Sequence, residues 1–221
     1  PQSHPLANPA NPDPLASFQI MQQVARLLAD QTRAFGSHAL TLFCSLAGAG
    51  RVSFRKLSED QTSKLVRDVA HQAGIDNTGQ GSVASGACAE KSSDAVDLFC
   101  ALARLGHRDT AMLSSLTLLL CKSLENVEVE RLGNLLRALG KGNVGNPHEE
   151  YVLLHSICQQ LLVTGFSKAD MAASILLVCS RWDFYDEQIF LLAAQTLQHN
   201  PEEISVGQVC DVIYSVSSLQ M

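Results

Sequence analysis

Positive charge is scarce in this sequence, as are aromatic rings, paired cysteines and long apolar runs. Lys and Arg number 16 against 22 Asp and Glu, a formal net charge of −6. Phosphate contacts dominate the affinity of nucleic-acid binders, which are usually basic, so bulk electrostatics argue against a general polyanion binder. Aromatic residues make up 5% of a chain that is 46% hydrophobic, and Leu, Ala and Val dominate the apolar set. That composition favours helices over a sheet sandwich, which would want more Tyr, Phe, Trp and Ile in alternating runs. The longest apolar stretch, around Met112 to Cys121, is broken by Ser114, Ser115 and Thr117 and is too short to span a bilayer. The seven cysteines are scattered singly with no CxxC pair, as expected of small reduced hydrophobes in a reducing compartment.

Signatures of catalysis are also missing. No GxSxG or HExxH occurs, and the glycines of Gly48-AGR and Gly140-KGNVG do not build a Walker loop, which needs GK[ST]. His155 and Cys158 have the spacing to share a helix face, but two ligands do not make a zinc site, and a buried or half-buried pair is expected. Glu149-Glu150 and Glu202-Glu203 stand at helix starts, where the dipole favours negative charge. The expectation is a protein that is not an enzyme and that carries neither cofactor nor metal.

What the chain does have is internal repetition. LFCALARLGHRD from Leu98, LLRALGKGNVGN from Leu135, ILLVCSRWDFYD from Ile175 and VIYSVSSLQM from Val212 align, with successive starts 37, 40 and 37 residues apart. Between them lie second helical patterns beginning near Ala111, Glu150 and Gln188, each with apolar residues three and four apart. Cys121 and Cys158 recur at the same place in successive second helices. The unit is helix, loop, helix, loop, and the predicted fold class is all-α: an α-solenoid of stacked helix-turn-helix repeats with a period of about 37 residues.

Upstream, LFCSLAGAG from Leu42 resembles LFCALARLG at an offset of 56, and Phe54 to Ile75 is expected as one long charged amphipathic helix. A further helix, roughly Pro14 to Ala34, precedes it. Residues 1–13 are expected as a Pro-rich extended tail, 14–75 as N-terminal helices and an atypical first repeat, 76–91 as a flexible Gly/Ser loop, and 92–221 as helical repeats of which the last is incomplete. The chain opens at Pro1 without Met, consistent with a removed organelle transit peptide and equally with a shortened chain. Its last helix lacks a partner, so either the chain continues or another molecule covers that face.

The pattern of Asp, LFCALARLGHRD, a Leu-rich helix and then ENVEVERL, GFSKADM or EISVGQV resembles the heptatricopeptide repeats of alveolate organelle proteins. These are relatives of octotricopeptide repeats and of the helical part of FASTK-like proteins, often followed by a RAP domain. The resemblance covers about Leu42 to Met221 and no RAP domain is present in this sequence. It implies a mitochondrial (matrix) or plastid location, binding of organellar RNA, and incorporation into the mitochondrial ribosome among neighbouring proteins of a large complex.

Local charge placement gives this implication candidate residues. Arg104, Lys141 and Arg181 fall at one register of three consecutive first helices, with Arg108 one turn after Arg104 and Arg137 one turn before Lys141. Stacked helices would align these five as a cationic face suited to a phosphate backbone; alternatively, they complement helix C-termini. Arg51, Arg55, Lys56, Lys64 and Arg67 are interleaved with Glu59, Asp60 and Asp68 and are expected as a solvated, salt-bridged face. Trp182, Phe184 and Tyr185 form an aromatic group suited to stacking on a splayed base, to capping the inter-helix core or to docking a protein. The expected function is a non-catalytic subunit of a mitochondrial ribonucleoprotein, foremost the mitoribosome, binding rRNA or bridging it to proteins. The alternative is a pure protein scaffold or accessory subunit with no RNA contact.

Overall fold

The structure, a computed structural model, describes residues 14–75, 88–107, 109–140 and 146–218. These form ten α-helices and three short 3-10 segments, with no strand among the described residues. The helices are α1 (Pro14–Phe35), α2 (His38–Gly48), α3 (Glu59–Gln72), α4 (Cys88–Leu105), α5 (Thr110–Ser123), α6 (Val129–Leu139), α7 (Pro147–Thr164), α8 (Ala169–Arg181), α9 (Glu187–His199) and α10 (Val206–Ser218). The all-α expectation therefore holds.

Helix starts are written in short polar side chains. Asp109 accepts from the Met112 amide at 3.1 Å, Asn146 from His148 at 3.0 Å with Pro147 opening α7, and Asp186 from Gln188 and Ile189 at 3.0 and 3.2 Å. Each satisfies amide donors that the first helical turn leaves free. Helix ends recur as well. At the ends of α3, α4 and α8 the chain turns through a positive φ at Gly74, Gly106 and Asp183. The next amide then closes onto the carbonyl five residues back, Ile75 to Ala70, His107 to Leu102 and Phe184 to Cys179.

Alternate helices pack on one another: α2 on α4, α4 on α6, α6 on α8 and α8 on α10, with α5 on α7 and α7 on α9. α6 and α8 run parallel. A Cβ at Gly133 would meet Met171 Sδ at 3.3 Å near both helix starts, and one at Gly140 would meet Val178 Cγ2 at 3.1 Å near both ends. The apolar stripe of α6, Leu132, Leu135, Leu136 and Leu139, is fully buried at this contact. Such a residue contributes about 1.5–3 kcal/mol. A single buried cluster runs from Ala25 to Ala193.

Two local expectations change. Phe54 to Ile75 is not one helix. Arg51–Phe54 is a 3-10 segment, and Ser58 starts α3 with a reciprocal box, its hydroxyl accepting from the Gln61 amide while Gln61 Oε1 accepts from the Ser58 amide. That box competes with helix before Ser58, and Phe54 instead turns inward to meet the Phe43 ring at 5.5 Å. The stretch 76–91 is not loop throughout either, because α4 begins at Cys88, where Ala, Glu and Lys favour helix after Gly86. The expected tail at 1–13 and the loop residues 76–87 lie outside the described residues.

Candidate functional site

Three of the five expected cations lie among the described residues. Arg104, Arg137 and Arg181 each occupy the last turn of a first-row helix, α4, α6 and α8, and all three are exposed. Cations there offset the partial negative charge of unsatisfied carbonyls. Arg108 and Lys141 lie outside the described residues.

Arg104 leans toward the preceding helix, its Nη1 standing 3.9 Å from where a Cβ at Gly48 would be. Arg51 does the reverse, since a Cβ at Gly106 would collide with its guanidinium. The two arginines thus lie over the carbonyl ends of α2 and α4. Arg137 takes a different course. Helical side chains point back toward the N-terminus, and that of Arg137 runs over Gly133, where a Cβ would stand 3.6 Å from its Nη2. There it donates to Asn134 Oδ1 at 3.1 Å and pairs with Asp170 of α8 at 3.5 Å. Nearby, Lys168 approaches Glu130 at 4.0 Å, and this shallow depression between α6 and α8 is lined by both signs of charge.

Adjacent units are tied by polar contacts in which Glu149 and Glu203, read from sequence only as helix-start acids, join Arg131, Asp97 and Ser114. Arg131 of α6 donates to Asp97 of α4 at 2.7 Å and to the Ser93 carbonyl at 3.2 Å. Ser114 of α5 donates to Glu149 of α7 at 2.7 Å, and the Ala169 amide at the start of α8 donates to Glu203 at 3.2 Å. Arg131 and Asp97 stand 34 residues apart, Ser114 and Glu149 35 and Ala169 and Glu203 34, each close to one repeat, and for the two side-chain pairs that recurring offset between polar residues is the signal that could have found them.

The aromatic group mostly serves the core. Phe184 is buried and meets Tyr151 edge-on at 5.4 Å and His155 at 6.1 Å. Trp182 is half-buried against the core, and the exposed Tyr185 leans on Phe190 at 5.3 Å. Phe184 follows the left-handed residue Asp183, a place where an apolar side chain folds back onto its helix. That geometry removes its ring from base stacking.

His155 and Cys158, three apart on α7, are not a buried pair: the imidazole is exposed, whereas Cys158 is fully buried. Among the described residues no group of three or more His, Cys, Asp or Glu could hold a metal ion. Cys44, Cys100, Cys121, Cys158, Cys179 and Cys210 form no disulfide. Burial, reinforced by Asp97, pushes Cys44 up to about 12. Cys179 is also raised, by its hydrogen bond with Cys158 and by burial, and Cys121 by burial. A raised pKa keeps Cys44, Cys121 and Cys179 as thiols rather than thiolates. Among the described residues no helix is long and apolar enough to cross a membrane. No protein-family model, curated protein or solved structure matches the chain.

Proposed function

We propose that the chain is a non-catalytic α-solenoid scaffold, built of helix-turn-helix units with a period of about 37 residues, that serves as a subunit of a large mitochondrial assembly through protein contacts. The observation that carries this reading is the pairing of Arg137 with Asp170. A phosphate-tracking face needs available cations along the units, and of the middle unit's two candidates the described one, Arg137, is paired with its neighbour. The parallel packing of α6 on α8 and the recurrence of one turn at Gly106 and Asp183 support the repeat.

The second reading, an rRNA-binding subunit of a mitochondrial ribonucleoprotein such as the ribosome, is favoured by the exposure of Arg104 and Arg181 on equivalent turns and by the heptatricopeptide resemblance. Crosslinking to RNA in isolated mitochondria separates the two, comparing wild type with Arg104, Lys141 and Arg181 all changed to Glu. The scaffold reading expects no RNA crosslink above background in either protein. Wild-type crosslinks that fall at least tenfold in the triple variant, with helicity intact, would replace it with the RNA reading.

A further inference from the structure

The rings with a polar edge gather in one place. Two of the three tyrosines and the one tryptophan stand at the turn from α8 to α9 or face it from α7. Phe184 is the buried centre, with Tyr151 edge-on at 5.4 Å, while Tyr185 leans on Phe190 at 5.3 Å. Tyr151 and Tyr185 nevertheless stay 41% and 55% exposed, and Trp182 is half-buried. Tyr151 does so although its helix has α5 on one side and α9 on the other. Tyr185 follows a helix, α8, that is likewise packed on both sides, by α6 and α10. The surface thus lies within the array, where the neighbouring helices are in place.

Its surround is acidic. Within RWDFYDE one cation, Arg181, stands against three acids. Asp183 and Glu187 are exposed, Asp186 caps α9, and Glu149 stands two residues before Tyr151. Asp183 has φ 49, the left-handed region that Gly74 and Gly106 occupy at earlier turns, so a carboxylate stands where glycine sits most easily. Residues 146–218 form an acidic end, with nine acids against two cations. The second of these, Lys168, lies at the opposite end of α8 beside Glu130.

We infer that the α8–α9 turn and the start of α7 dock an arginine-bearing segment of a neighbouring protein. A guanidinium is planar, stacks on tyrosine and tryptophan and pairs with carboxylates, so rings rimmed by acids recognise it as a unit. Tyr, Trp and Arg are also the side chains that anchor protein interfaces. The same carboxylates repel a phosphate backbone, which disfavours RNA at this face. Outside the described residues the sequence holds two cations, Arg108 and Lys141, each on an earlier turn, so those residues supply no arginine-rich strand to cover the rings. Such docking rests on the protein-scaffold reading, which RNA crosslinking decides, whereas peptide titration decides this surface alone.

Trp182 is the one tryptophan in the sequence, so its fluorescence reports this turn. Titrating the full chain with a synthetic Arg-rich peptide should shift Trp182 emission and saturate below about 1 mM peptide at about 50 mM salt. A Glu-for-Arg peptide should leave the emission unchanged. Asp183→Asn combined with Glu187→Gln, in which Asn still tolerates the left-handed turn, should weaken binding at least tenfold. Tyr185→Ala should do the same with helicity intact. Glu202→Gln combined with Asp211→Asn removes equal charge elsewhere on the acidic end and should leave binding unchanged. Equal weakening by the two charge pairs, or no saturable shift in wild type, would overturn the inference. A response to single-stranded RNA but not to the peptide would replace it with base stacking.

Discussion

His107 stands where α4 turns into α5, and its Nε2 is buried without a hydrogen-bond partner. Burial holds its pKa below the ordinary 6.5, although the carboxylates of Asp109 and Glu59 pull the other way. A depressed folded pKa means that the unfolded chain binds the proton first. The contribution of His107 is therefore intact above about pH 6.5 and is lost as pH falls from there through the folded value. Denaturant midpoints measured from about pH 7.5 to about pH 5 should show wild type losing more stability than His107→Gln; equal slopes would mean that the imidazole is solvated. Phe184 occupies the equivalent place after Asp183 and is buried, whereas the His107 side chain is half-buried. A ring so placed was open to a base-stacking reading from sequence because WDFYD alone does not say which ring follows the left-handed residue.

At the scale of elements, α6 approaches α8 at Gly140, where an added Cβ would stand 3.1 Å from Val178 Cγ2 and 3.3 Å from the Leu136 carbonyl oxygen. Val178 is 1% exposed and cannot yield easily. Gly140→Ala should therefore lower unfolding stability by roughly 1–3 kcal/mol, despite the gain in helix propensity, as read from urea midpoints. An unchanged or raised midpoint would show that the two helices separate freely. The second helices near Ala111, Glu150 and Gln188 were legible because apolar spacing and capping residues coincide there. The start of α3 was not, because the apolar pattern continues upstream through Phe54 and only the hydrogen bonds of Ser58 decide the boundary. The fate of Arg137 was equally hidden: its register suggested a free cation, and its partner Asp170 belongs to the next unit.

For the molecule as a whole, burial is graded along the chain. α4, α6 and α8 each have neighbours on two sides, whereas α10 has one buried residue, Ser215. Amide hydrogen exchange in dilute solution should therefore run slowest in α6 and α8 and fastest in α10, and uniform protection across the three would contradict that gradient. The principal packing partners of every helix lie no further away than the next helix but one, α1 with α3 or α8 with α10. Few pairings must wait for distant chain to arrive, which lowers the entropy of closure for each step. During synthesis at about 5–20 residues per second, α4 can settle on α2 and α6 on α4 while the acidic end is still inside the ribosome, so the order of translation is also the order of folding.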